Sequence, residues 1–190
     1  MNETSAVKRA LSAQSALKVG GLKVRILGLD PGLRHTGWGV IEAEGNRLVF
    51  IADGVVEPDP KLSLAERLQV LFVEVQKLVA TYVPHECAIE DTFVNKNPTS
   101  TLKLGHARAA AMLAPAVAGI MVSEYKPNLV KKSVVGAGHA DKVQVAAMMR
   151  ILLPGCKAGN ADAADALAVA VCHAHHRASV MRFAPMKAVK

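Results

Sequence analysis

The chain has 190 residues, 51% of them hydrophobic and 4% aromatic, with 23 Lys and Arg against 16 Asp and Glu for a net charge of +7. That length builds one domain with a sizeable core and needs no disulfide or structural metal. The basic balance points to a polyanion, nucleic acid first, while the few aromatics argue against a broad base-stacking platform for single strands.

The longest uncharged apolar run, residues 109–122, is too short for a membrane span and contains Pro115 and Gly119. Cys87, Cys156 and Cys172 are odd in number and widely spaced, so they read as buried free thiols of a reducing compartment. Residues 1–22 lack the apolar core of a secretory signal. They are Ser-, Ala- and Lys-rich, end near Gly20-Gly21, and read as a flexible basic arm ahead of a domain spanning 23–176. Residues 177–190 are basic and aperiodic and are expected to fray. A cytoplasmic protein is the expectation.

The pattern changes at Lys23. Val24, Ile26, Leu27 and Leu29 make a short buried strand that ends at Asp30-Pro31-Gly32. Further strands are expected over 37–43 and 48–56, joined by short turns into an antiparallel meander. Ser63 and Glu66 have capping-box spacing, and Leu64, Leu68, Leu71, Val75 and Leu78 draw one apolar stripe of a helix. Cys87, Ala88 and Ile89 form a fourth strand that ends at Glu90. A loop through Asn95, Lys96, Asn97 and Pro98 opens a second long helix, which Pro115 should kink or split. A fifth strand covers 120–124, and helices are expected over 127–134, 141–153 and 161–176. A meander followed by βαβ crossovers gives an α/β fold: a five-stranded mixed sheet, its first three strands antiparallel, with helices on both faces.

Four carboxylates stand out. Asp30 lies at the carboxyl edge of a strand, where ligands bind in open α/β sheets. Gly32, Gly37 and Gly39 near it would let a phosphate backbone approach, although a turn aspartate capping Asp-Pro-Gly is the plain alternative. Glu90 continues a buried strand, where a carboxylate is costly unless paired or metal-bound, and strand alternation should send Asp91 to the other face, toward solvent. Asp162 and Asp165 lie three apart on an alanine-rich helix, so like charges share one face, an arrangement that favours a cation between them. A helix-dipole or capping role explains one of them without metal. Together the four make a site for hard divalent cations and phosphoryl transfer, two Mg²⁺ ions being the expected complement. Lys131, Lys132 and Lys142 are the basic candidates for the substrate phosphate. Cys172, His175 and His176 have helical spacing for a metal but lack a second ligand pair, so ordinary helix-end electrostatics is preferred.

Four stretches, ILGLDPGLRHTGWGVI (26–41), AIEDTFVNKNPTSTLKLGHAR (88–108), LVKKSVVGAGHADKVQV (129–145) and NADAADALAVAVCHAH (160–175), together resemble the RuvC family of Holliday-junction resolvases. The resemblance implies an RNase H-like fold and a homodimer acting on four-way junction DNA. It implies an Mg²⁺-dependent endonuclease, with Mn²⁺ as a substitute, that makes paired symmetric nicks with 5′-phosphate ends in recombination and repair. It puts the catalytic, metal-binding carboxylates at Asp30, Glu90, Asp162 and Asp165. DNA contacts fall on Phe93, Lys96, Arg108, Lys131 and Lys142, and the branch-migration complex RuvA–RuvB is the implied partner. The arm of residues 1–22 and Pro115 depart from the family pattern.

Other readings compete. The glycine pattern after Asp30 also resembles the first phosphate loop of actin-like ATPases, but a second loop and an adenosine region are missing. A non-catalytic junction scaffold would be favoured by loss of one of the acids, and all four are present. An RNase H-like nuclease acting on another nucleic-acid structure stays open from the residues alone.

Overall fold

The structure, a computed structural model, describes residues 22–91, 97–157 and 159–183. Residues 1–21 of the expected arm (1–22) lie outside them, as do Phe93, Lys96 and Asn95.

Strands β1 (Val24–Asp30), β2 (Thr36–Glu44) and β3 (Arg47–Val56) form the antiparallel meander. Helix α1 (Leu64–Tyr82) follows, then β4 (Glu86–Glu90), α2 (Pro98–Val117), β5 (Met121–Tyr125), α3 (Pro127–Val135), α4 (Lys142–Leu152) and α5 (Ala161–Phe183). Strands β4 and β5 add in parallel to give the order β3-β2-β1-β4-β5. Parallel pairing requires the crossover helices α1 and α2 between those strands.

Strand alternation sorts the sheet into two layers. On one face Ile26, Ile41 and Ala88 pack with Val130, Met149 and Leu167 of α3, α4 and α5. On the other, Leu27, Leu29, Val40 and Ile89 pack with Val75 of α1 and with Ala111 and Ala114 of α2. Sheet residues of even number in β1 and β4 therefore face α5, which puts Asp30, Glu86 and Glu90 in one layer.

Local chemistry sets the helix ends. Ser63 and Glu66 close the capping box of α1. Asp141 and Gln144 close another at α4, one that sequence reading had placed only as a helix start. Several expectations are corrected. Leu64, the first residue of α1, is exposed, so the buried stripe begins deeper, with Leu71 and Val75 at its centre. Pro115 does not split α2, which runs unbroken to Val117. It sits in the last turn, so its missing N–H costs one hydrogen bond and the downstream chain has no helix left to disrupt. Helix α5 continues to Phe183, well past the expected stop at His176, because Arg177 is tied back to Glu86 of β4 rather than frayed. Among the described residues no helix is long and apolar enough to cross a membrane. The three cysteines are free and buried.

Candidate active site

The site stands at the carboxyl ends of β1 and β4. Register places Asp30 opposite Gly37 of β2, and Glu90 ends β4 in the layer that faces α5. Helix α5 begins directly over this edge. Asn160 caps it by accepting from the Asp162 N–H at 2.8 Å and the Ala163 N–H at 3.4 Å. Capping is thus done by Asn160, which leaves the Asp162 carboxylate available. Sequence reading overlooked Asn160, although an Asn just before an alanine-rich run is an ordinary N-cap signal.

Glycine has a different role here from the one expected. A Cβ on Gly37 would lie 2.0 Å from the Asp162 carbonyl oxygen, and one on Gly28 would lie 2.2 Å from that of Ala166. At Gly39 the space is filled by Leu167. The three glycines seat α5 against the sheet, backbone on backbone, and the room expected for a phosphate chain is filled by the helix that carries two of the acids. Gly32 answers a third need: it exchanges hydrogen bonds with Thr36, 3.2 Å from its N–H and 2.7 Å to its carbonyl, which folds the turn after Asp30.

Carboxylate oxygens of Asp30, Asp162 and Asp165 lie within 4.8 Å of one another. Glu90 shares a hydrogen bond with Asp30. Burial, then the charges of Glu90, Asp165 and Asp162, push the Asp30 carboxyl well above its ordinary range. Glu90 is raised too, by burial first, with Lys131 and Lys142 pulling the other way. Lys142 Nζ stands 3.1 Å from Asp165 and 3.9 Å from Asp162, so a cation does sit between the two helix acids. Its hydrogen bond to Asp165 and the surrounding acids raise the ammonium pKa. A cleft of about 240 Å³ opens here, lined by Asp30, Glu90, Lys131, Lys142 and Asp165. A larger hollow of about 390 Å³, between Leu22, Leu48 and Ala174, lies toward the far end of α5 and gathers no acids.

The donor set fits a divalent cation: hard carboxylate oxygens converge within coordinating reach of one centre, and like charges raise the protonation of Asp30 where a bound cation would reverse the repulsion. Lys132 is exposed on the last turn of α3 and is not part of the cleft lining. Arg108 lies elsewhere. Its guanidinium contacts the Glu90 main-chain oxygen, Glu124 and Asp91, on the far face of the sheet from the acids. Asp91 does leave the Glu90 face as alternation requires, and its side chain is 42% exposed and lies 3.5 Å from Arg108. The Cys172 thiol meets the Ser133 hydroxyl at 3.3 Å, and His176 meets the same hydroxyl at 3.0 Å. These side chains join α5 to α3, and the one metal-ready cluster among the described residues is acidic.

Comparison with known proteins agrees with this arrangement. A family model described as crossover junction endodeoxyribonuclease RuvC matches residues 26–173. The crossover junction endodeoxyribonuclease RuvC of Rhodopseudomonas palustris is 63% identical over 159 residues, covering 84% of this chain and 91% of that relative. Its counterpart from Rhodospirillum rubrum is 59% identical over 165 residues, 87% of this chain and 98% of the relative. Among solved structures, T. thermophilus RuvC in complex with Holliday junction substrate superposes with a TM-score of 0.77 at 31% identity, over 83% of this chain and 96% of that one. With the RNase H-like sheet, the acidic edge and a family match across nearly the whole described domain, the chain belongs to the RuvC family of crossover junction endodeoxyribonucleases.

Proposed function

We propose that Asp30, Glu90, Asp162 and Asp165 hold Mg²⁺, replaceable by Mn²⁺, and that a homodimer uses two such sites to nick a four-way junction symmetrically. The observation that carries this reading is the convergence of three carboxylates within 4.8 Å beside Glu90, in a cleft flanked by Lys131 and Lys142. Bound there, Mg²⁺ supplies the Lewis acidity that phosphodiester hydrolysis requires.

The protein's own groups account for the rest. The four acids would hold that ion at the sheet edge, and their placement on β1, β4 and α5 gives the ion a rigid seat. Lys142, held by Asp165 at 3.1 Å, and Lys131 across the cleft put positive charge where a phosphate backbone must enter. Hydrolysis breaks the bond to the 3′ oxygen and leaves a 5′-phosphate, the ligatable end that resolution needs. Phe93 and Lys96 are assigned to the junction by the family resemblance.

Dimer formation is supported by α2. Leu102, Leu113 and Val117 are exposed along it, with the small residues Gly105 and Ala109 also exposed between them. An apolar helical stripe with small residues at its centre suits close packing on a second copy. Two sites related by a two-fold axis match a junction whose like-polarity strands are also two-fold related. RuvA–RuvB is the partner complex that this reading implies.

The experiment is a nicking assay in Mg²⁺ with individually labelled strands, comparing a four-way junction with linear duplex of the same sequence. Symmetric nicks confined to the junction are expected. Equal cutting of the duplex would overturn junction selectivity, and binding without nicks would overturn catalysis.

A further inference from the structure

The Glu90–Asp91 peptide is held at both of its ends. Its N–H donates to the Tyr125 carbonyl at 2.8 Å, and its carbonyl accepts from Arg108 Nε at 3.2 Å. This is the point where β4 ends, since Glu90 opposite Tyr125 is the last pair of the β4–β5 ladder. A carboxylate on the terminal residue of a strand inherits the freedom of its peptide plane unless something holds that plane.

Arg108 reaches it from beneath. Glu90 faces α5, whereas Glu124 and Asp91 face the layer of α1 and α2, and the guanidinium lies between those two carboxylates with Asp91 at 3.5 Å. The side chain is 17% exposed. One cation thus faces two carboxylates and one carbonyl, which leaves no surplus positive charge for a phosphate. The planar guanidinium fork can meet these acceptors together, while an ammonium can match the charge but not the fork.

We propose that Arg108 is a positioning residue for the reaction: it fixes the Glu90 main chain, and so the aim of its carboxylate, rather than contacting DNA. The proposal rests on the reading that Glu90 holds the metal.

The test compares Arg108→Lys and Arg108→Ala with the unaltered full-length protein. Three quantities are measured: junction affinity and its salt dependence in chelator, the Mg²⁺ concentration that half-saturates the thermal shift, and the cleavage rate at saturating junction. Both variants are expected to keep junction affinity and salt slope. Both should need about 10- to 100-fold more Mg²⁺, the loss typical of removing an outer-sphere partner of a metal ligand, and Lys should not rescue. Glu124→Gln, at an exposed position, should move the Mg²⁺ requirement in the same direction by less and guards against misfolding of the Arg108 variants. A weaker junction affinity with a salt slope lowered by about one charge and a normal Mg²⁺ requirement would overturn the proposal in favour of a DNA contact. An unmoved Mg²⁺ requirement in all three variants would overturn it as well. Glu90→Gln separates the two levels: normal cleavage by that variant sinks the metal reading itself, whereas an inactive Glu90→Gln beside an unaffected Arg108→Lys sinks only the role of Arg108.

Discussion

Two charged clusters, one half-buried and one buried, stand at two levels of the same pair of elements, and they are built on opposite terms. At the front, Glu90 of β4 meets Asp30 and the Asp162 and Asp165 turn of α5. At the rear, Glu86 of β4 meets His173 at 2.7 Å and takes both arms of Arg177, at 2.7 and 3.1 Å, from the same helix. A strand advances about 13 Å between residues 86 and 90, and a helix about 12 Å between 165 and 173. The spacings match, so seating one end sets the other. At the rear, burial would raise the Glu86 carboxyl, yet hydrogen bonds from His173 and Arg177 hold it at about 2. His173 is fully buried, and protonation at Nε2 satisfies both its bonds, with Nδ1 accepting from the Tyr125 hydroxyl at 2.7 Å. Burial first, then the charge environment, pushes that phenol to about 12. The rear cluster is complete within the protein. The front cluster has four acids answered by Lys142 and Lys131, and the carboxyls of Asp30 and Glu90 are raised. Desolvation acts on a carboxyl of β4 in both; what differs is how far the chain itself supplies the partners.

The sharpest way to break the contrast is Asp30→Asn. On the proposed reading it removes a metal ligand at the front while leaving the lysines in place. Cleavage should fall by more than the ~100-fold that losing an outer-sphere partner can cost, with junction affinity held. In chelator the variant should melt no lower than the unaltered protein, since it removes a charge that burial and three neighbours oppose. Mg²⁺ should then stabilise the unaltered protein and not the variant. Near-normal cutting would show that Asp30 holds no metal.

The converse substitution is Glu86→Ala. It leaves His173 and Arg177 without their carboxylate in a site where Glu86 is 4% exposed. Breaking a buried pair costs about 3 kcal/mol or more, which for a domain of this size lowers Tm by roughly 6–12 °C. At a temperature where the variant is folded, the Mg²⁺ requirement for cleavage should change little. A stable variant with an altered metal requirement would show that the rear cluster tunes the front one and that the two are not separable.

Much of the front cluster was legible in the sequence and almost none of the rear. Asp30 and Glu90 follow apolar strand residues, and Asp162 and Asp165 interrupt an alanine-rich helix; a charge that violates a local hydrophobic pattern is visible without coordinates. The succession of strands and helices along the chain was legible for the same reason, because periodicity and turn residues are local. Glu86, His173 and Arg177 violate nothing local. Glu86 starts a strand and His173 and Arg177 follow the apolar run of α5, and only the antiparallel passage of α5 over β4 brings them together across 87 or more residues of chain. The glycines at 37 and 39 were visible but misassigned, because a missing side chain shows that something comes close and not what. Helix α5 was read too short because the anchor that extends its order, Arg177 to Glu86, is tertiary.

Acidification should separate the clusters by sign. Glu86 has a depressed folded pKa, so its stabilisation is present above its ordinary 4.5 and is lost as pH falls toward about 2. Asp30 and Glu90 have raised folded pKa values, so they destabilise the metal-free protein at high pH and this penalty is relieved as pH falls through their raised range. In chelator, stability should therefore rise on going from neutral to mildly acidic pH and then fall below about pH 4.5. Asp30→Asn should flatten the rise and Glu86→Ala should weaken the fall. Melts across pH for the three proteins check this, and a single monotonic loss of stability on acidification would contradict the raised front carboxyls.

The smallest expected effect concerns how the front cluster treats its two lysines. Lys142 touches Asp165 and Asp162, so Lys142→Ala removes both a charge proposed to meet the phosphate and a direct screen between two acids. Lys131 lines the same cleft and lowers the Glu90 carboxyl through space. Lys131→Ala should therefore leave the acids in place and act chiefly on the DNA. Its signature is a salt slope of junction binding reduced by about one charge, with a smaller loss of cleavage rate than Lys142→Ala. Parallel salt titrations of the two variants check the order. An unchanged slope for Lys131→Ala would place that ammonium off the path of the phosphate backbone and leave Lys142 as the cation that meets it.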